Sequence, residues 1–233
     1  DLLINDGKII EISKNIENSD LEIIDINKKT LIPGLIDLHV HYRDPGETYK
    51  ENIKSGSKSS AKGGFTTVVM MANTIPTMDN KKVLEKQNEV INKNASIRIL
   101  QTASVTIDRK GKKLVDFETL SKYGVVGFSD DGDVVENDEI FKKGLLNAKN
   151  NNKLFFQHCE DKLLINDGVI NDGPTSIRLG LKPRSAKAEH SIIKRDIKIA
   201  MENNSPIYFQ HISSKESIEL IKEAKKLGVN IIA

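Results

Sequence analysis

From residue 35 onward, short apolar runs alternate with stretches of helical periodicity, and this rhythm restricts the fold more than any other feature of the chain. The runs are Leu35–Val40, Thr66–Met71, Ile97–Leu100, Val125–Phe128, Leu154–Phe156, Ile207–Phe209 and Val229–Ile232. Between them, Val83, Leu84, Gln87, Val90 and Ile91 keep one stripe. So do Ile140, Phe141, Leu145 and Ala148, and then Ile192, Ile193, Ile197, Ala200 and Met201. Gly64, Gly124 and Gly228 each follow a Lys-containing helix end, where a left-handed residue closes a helix. Ser213 with Glu216 fits a capping box for the sixth helix. Alternating strands and helices imply parallel strands joined by right-handed crossovers. Seven such strands fit an α/β fold, a (β/α)8 TIM-type barrel counted up to its seventh strand. A doubly wound sheet is the alternative, but the Gly-rich dinucleotide fingerprint after the first strand is absent.

The start of the chain follows a different rhythm. Leu2-Leu3-Ile4, the turn Asn5-Asp6-Gly7 and Lys8–Ile12 read as a hairpin, and Leu21–Ile26 as a third strand. Residues 1–32 are therefore expected to form part of a small β-sandwich domain, and residues 33–233 the barrel. The connection 159–184, with Asn-Asp-Gly at 166–168 and 171–173, is long enough to be functional. In a barrel it emerges on the face that carries active sites.

Charge excludes some partners. The 35 Lys and Arg against 33 Asp and Glu leave a net charge of +2, with no basic face for nucleic acid. The cluster Arg109, Lys110, Lys112 and Lys113 reads as a solvated loop. No apolar run approaches the roughly 20 residues of a membrane span. The single cysteine, Cys159, excludes an internal disulfide and fits a reducing cytoplasm. It is expected to be buried and inert.

Four of the five histidines stand at strand ends. His39 and His41 alternate to one side of the first strand, with Arg43 one step beyond. His158 closes the fifth strand and His211 the sixth, so a barrel brings all four to one rim. Imidazoles converging there suit a metal ion. The fourth strand ends Ser129-Asp130-Asp131-Gly132, and either carboxylate could bridge two cations or simply form a turn. Asn73 ends the second strand, where it could donate to a substrate carboxylate beside Arg43. His190 falls within the fifth helix and reads as a helix-surface residue.

These stretches resemble the class I dihydroorotases of the amidohydrolase superfamily. The likeness runs through His39-Val40-His41-Tyr42-Arg43-Asp44-Pro45-Gly46, Gly63–Thr67, Met71-Ala72-Asn73-Thr74, Phe128–Gly132, His158-Cys159-Glu160-Asp161, Arg195-Asp196 and Gln210–Ser213. Ala72 replaces the family's usual Pro. The resemblance implies zinc, one or two ions, held by His39 and His41 on one side and His158 and His211 on the other. It also singles out Asp131 as the bridging carboxylate, by the family's spacing to His158. Hydantoinases and allantoinases use a carbamylated lysine there. Arg43 and Asn73 would bind the substrate carboxylate. The implied activity is reversible hydrolysis of dihydroorotate to N-carbamoyl-aspartate in pyrimidine biosynthesis. The alternatives are a hydantoinase- or allantoinase-like amidase and a non-catalytic dihydroorotase-like subunit. A homodimer and an association with aspartate transcarbamoylase are compatible with the resemblance. The family's catalytic Asp ends an eighth strand, beyond Ala233. The chain is therefore expected to be a piece of a longer protein, poorly active by itself.

Overall fold

The computed structural model describes residues 1–17 and 21–233 and divides them into two compact units, Asp1–Pro33 and Gly34–Ala233. In the first, β1 (Leu2–Asn5) and β2 (Lys8–Ile12) pair antiparallel. The turn between them places Asp6 at φ 48° and Gly7 at φ 70°. Both central residues of a tight primed turn need positive φ, which Asp tolerates and Gly adopts freely. The expected third strand over 21–26 does not form. An extended segment becomes a strand only when a neighbour takes up its N–H and C=O groups, and no described segment does so.

The second unit carries all seven expected strands. They are β3 (Leu35–Val40), β4 (Phe65–Met70), β5 (Arg98–Ala103), β6 (Gly127–Phe128), β7 (Leu154–Gln157), β10 (Ile207–Phe209) and β11 (Ile231–Ile232). They form one parallel sheet in the order β11-β10-β7-β6-β5-β4-β3. Sequential order with parallel pairing is the topology of a β/α barrel. The crossover helices are α1 (Ile53–Lys62), α2 (Lys81–Asn94), α3 (Phe117–Lys122), α4 (Asp138–Asn150), α7 (Lys187–Glu202) and α8 (Lys215–Lys226). Asn52, Asn80 and Asn137 cap α1, α2 and α4, each accepting a backbone N–H through its side chain. Gly64, Gly124 and Gly228 adopt φ between 85° and 89° after their helices, as expected. The cap of α8 is displaced by one residue: Ser214 accepts the N–H of Ser217, while Ser213 is held by Glu189.

The strands are apolar on both faces. Val68, Met70, Phe128, Phe155 and Phe209 pack toward the helices in the large core. Val69, Met71 and Phe156 form a second cluster, joined by Leu100, Leu154 and Tyr208. Alternation along β4 and β7 accounts for the split, since neighbours point to opposite faces. Cys159 is buried against the helix layer, and burial raises its thiol pKa well above the ordinary value, so it stays protonated.

The long connection 159–184 is structured. It holds α5 (Lys162–Ile165), β8 (Ile170–Asn171), α6 (Pro174–Leu179) and β9 (Pro183–Arg184), and β8 pairs parallel with β9. The first Asn-Asp-Gly stretch turns through left-handed Asn166 and Asp167. The second leads through Gly173 into α6.

Candidate metal centre

Asp131 is the hub of the rim. Its side chain is 3% exposed and has histidine nitrogens facing each oxygen. Oδ2 lies 3.3 Å from His41 Nε2 and 3.6 Å from His39 Nε2. Oδ1 lies 3.2 Å from both His158 Nδ1 and His211 Nε2. Within each pair the imidazoles approach closely, at 2.9 Å for His39–His41 and 3.0 Å for His158–His211. Two three-residue groups therefore share one carboxylate: His39, His41 and Asp131, and Asp131, His158 and His211. Imidazole nitrogen and carboxylate oxygen are donors that suit zinc, and both sets fit a divalent cation.

Alternation explains part of this placement. Ser129 and Asp131 face the site, while Asp130 faces away. The Asp130 carboxylate accepts the backbone N–H groups of Val105 and Thr106, at 2.8 and 3.1 Å, and the Thr106 hydroxyl. The choice between the two carboxylates, open from the residues alone, thus has a geometric answer: Asp130 binds a loop, and Asp131 meets the histidines.

The electrostatics follow the burial. Desolvation pushes His39 down to about 4, against the opposing charge of Asp131. His41 is lowered too, mainly by burial. His211 is raised, first by its hydrogen bond with Asp131. Burial alone would raise Asp131. Hydrogen bonds from His158 and His211 and the charge of His39 outweigh it and hold the carboxyl well below the usual range.

Asn73 Oδ1 lies 2.9 Å from His41 Nδ1 and orients that ring. Its Nδ2 lies 3.5 Å from the point a Gly132 Cβ would occupy, so it faces the Asp131–Gly132 turn. Arg43 stands beyond His41 at φ 56°, near enough for its charge to lower the His41 pKa.

Four residues at the rim were not singled out from the sequence. Arg109 is not solvated with the rest of its cluster: it turns inward and donates to the Asp131 carbonyl at 2.6 Å, with Asp133 at 3.3 Å. Glu160 approaches His158 Nε2 at 3.5 Å and is held by Arg184 at 2.7 Å. Gln210 lies 2.7 Å from His39 Nδ1. The signal available for Glu160 was its position two residues past His158. Arg109 and Arg184 carried none, because their contacts span 22 and 24 residues. His190 lies on α7, but half-buried and not on the open helix surface that was expected, with its Nδ1 enclosed and unpartnered among the described residues.

A cleft of about 480 Å³ opens beside His158, between Gly132–Val134 and Lys162–Asp167. A larger groove of about 810 Å³ lies between α3 and α4, lined by Asp116, Glu118, Lys122 and Asn147 among others. It is remote from the histidines and holds no converging ligand groups, so the smaller cleft is the relevant one.

Parallel strands in sequential order, with histidines and a buried carboxylate gathered at their C-terminal ends, are the arrangement of a β/α barrel that carries a candidate metal centre on the face where such barrels build their sites. Solved structures agree on the fold: L-hydantoinase from Arthrobacter aurescens superposes with a TM-score of 0.81 at 20% identity, covering 99% of this chain and 53% of that one. The chain belongs to the dihydro-orotase-like family, whose model matches residues 28–217. It is 40% identical to the dihydroorotase of Elusimicrobium minutum across its whole length, and 43% identical to that of Aquifex aeolicus over 99% of it. In both comparisons it spans 54% of the relative.

Proposed function

We propose that the protein is a zinc-dependent dihydroorotase, hydrolysing the ring amide of dihydroorotate reversibly to N-carbamoyl-aspartate. The observation that carries this reading is the Asp131 carboxylate, each oxygen of which meets a separate pair of histidine nitrogens. The dihydroorotase relatives support the substrate. His39, His41 and Asp131 would hold one ion, and Asp131, His158 and His211 another. Zinc there would supply Lewis acidity and a water whose pKa falls toward about 7. Arg43 and Asn73 bind the substrate carboxylate and so fix the orientation of the ring. Arg109 steadies the Asp131 backbone, and Glu160 orients His158 from outside. The test is turnover of dihydroorotate beside neutral hydantoin and dihydrouracil by the zinc-loaded full-length protein. Preference for a neutral ring would overturn the substrate assignment.

Changing His39, His41, His158 and His211 together to Ala should abolish zinc retention, as read by elemental analysis after gel filtration. Zinc at the parental level in that variant would refute the ligand set.

The two positions should also differ in pH response. His39 stays neutral down to about pH 4, whereas His211 gains its proton above the ordinary 6.5. Protons therefore compete for His211 first as pH falls. In a cobalt-loaded sample taken from about pH 8 to about pH 5, the ion at His158 and His211 should leave before the ion at His39 and His41. Visible absorption spectra with the His39→Ala and His211→Ala variants as references would check the order.

A further inference from the structure

Gln210 is fully buried at the end of β10 and is itself outside the proposed ligand set. Its Nε2 donates to His39 Nδ1 at 2.7 Å and has Met71 Sδ at 3.1 Å. Its Oε1 accepts from Ser129 Oγ at 3.2 Å, and Ser129 Oγ accepts the Asp131 N–H at 3.1 Å. A buried amide with both ends engaged links β3 to the turn that carries Asp131.

With the Gln210 NH2 turned toward His39, Nδ1 is the acceptor, and that arrangement puts the proton of the neutral ring on Nε2. His39 Nε2 points at His41 Nε2, 2.9 Å away. His41 is the opposite tautomer: its Nδ1 donates to Asn73 Oδ1, leaving a lone pair on Nε2. One directed chain runs from Gln210 through His39 and His41 to Asn73. It places a proton between the two Nε2 atoms that face Asp131 Oδ2.

A cation there needs lone pairs on both Nε2 atoms. His41 already offers one. His39 can offer one only by carrying its proton on Nδ1, where the Gln210 NH2 now points. Rotating that amide by half a turn resolves the conflict. Oε1 then accepts from His39 Nδ1–H, and Nε2 donates to Ser129 Oγ, whose second lone pair receives it. The two ends of an amide are nearly equal in size, so the rotation keeps the packing; it replaces the Nε2 contact with Met71 Sδ by one from Oε1 and frees the Ser129 hydroxyl proton to turn elsewhere.

We infer that Gln210 is a positioning residue whose amide orientation selects the His39 tautomer, and so sets metal affinity at the His39–His41 side of the centre. This rests on the metal reading proposed above.

The experiment uses the full-length protein, stripped by chelation and titrated with Zn²⁺ against a chromophoric chelator. Gln210→Met should weaken binding at the His39–His41 position about 10- to 100-fold, the usual range for a lost outer-shell partner, and leave the other position unchanged. Gln210→Glu should stay within about threefold of the parent or bind tighter, because a carboxylate accepts from His39 Nδ1–H and Ser129 Oγ–H without rotating. In the parent, ¹⁵N-histidine NMR should place the His39 proton on Nε2 without zinc and on Nδ1 with it. If Gln210→Met does not fold by circular dichroism, Gln210→Glu and the tautomer measurement decide. Parental affinity in Gln210→Met, equal losses in both variants, or one unchanged His39 tautomer would overturn the inference. Parental zinc binding in His39→Ala would instead refute the metal reading itself.

Discussion

Asp131→Asn in the full-length protein should cost at least about 100-fold in metal retention, beyond the 10- to 100-fold typical of outer-shell partners. Turnover should fall about 10³-fold or more, as expected when preorganised charge at a reacting centre is removed. The carboxylate is buried, and its charge faces His39, His41, His158 and His211. An amide keeps the shape but loses the charge and one acceptor oxygen. It also removes the interaction that keeps the His211 pKa raised. Asp130→Asn is the matched control. Asp130 satisfies two backbone N–H groups in the loop after β5, so its loss should lower stability by about 1–3 kcal/mol while leaving metal content intact. Thermal melts and elemental analysis on the two variants separate these roles. Metal loss in Asp130→Asn with retention in Asp131→Asn would reverse the assignment. An aspartate bridge also needs no carbamate, so activity should not depend on bicarbonate during metal loading.

Arg43→Met should lower dihydroorotate turnover about 10- to 100-fold or more. A charge-assisted contact to a carboxylate is worth roughly 1.5–3 kcal/mol, and about 1.4 kcal/mol is tenfold. Turnover of neutral dihydrouracil, which has no carboxylate to meet, should change far less. The residue follows the His-x-His pair on a left-handed backbone at φ 56°, beside His41 rather than within the helix layer. Comparing kcat/KM for both substrates is the measurement. Equal losses would show that Arg43 supports the local backbone and does not read the anion.

Most of the architecture is legible in the residues because it rests on local periodicity. The seven apolar runs became seven strands within a few residues of their expected limits, and the three glycines closed their helices in left-handed geometry. Leu21–Ile26 failed as a strand because strand formation depends on a partner, which an apolar run does not specify. The solvated reading of the Arg109 cluster held for Lys110, which is exposed and pairs with Asp108, but not for Arg109 itself. A chain of charges does not reveal which member folds inward.

The same division runs through the candidate centre. Strand alternation by itself placed His39 and His41 on one face, because every second side chain of a strand points the same way. It could not say which carboxylate faced inward. It also assigns the inward place on β10 to Gln210, next to Phe209 in the outer core, and so leaves His211 out of phase. His211 reaches Asp131 because its backbone turns to φ 37°, a conformation a non-glycine residue holds only when its surroundings compel it. Glu189, 22 positions earlier, is part of that surrounding. It clamps the N–H groups of Ser213 and Ser214 just past the kink. Residue type and local periodicity fix which side chains could be ligands and on which strands they lie. How the out-of-phase histidine joins them is set in the folded chain, because it depends on contacts between segments far apart in sequence.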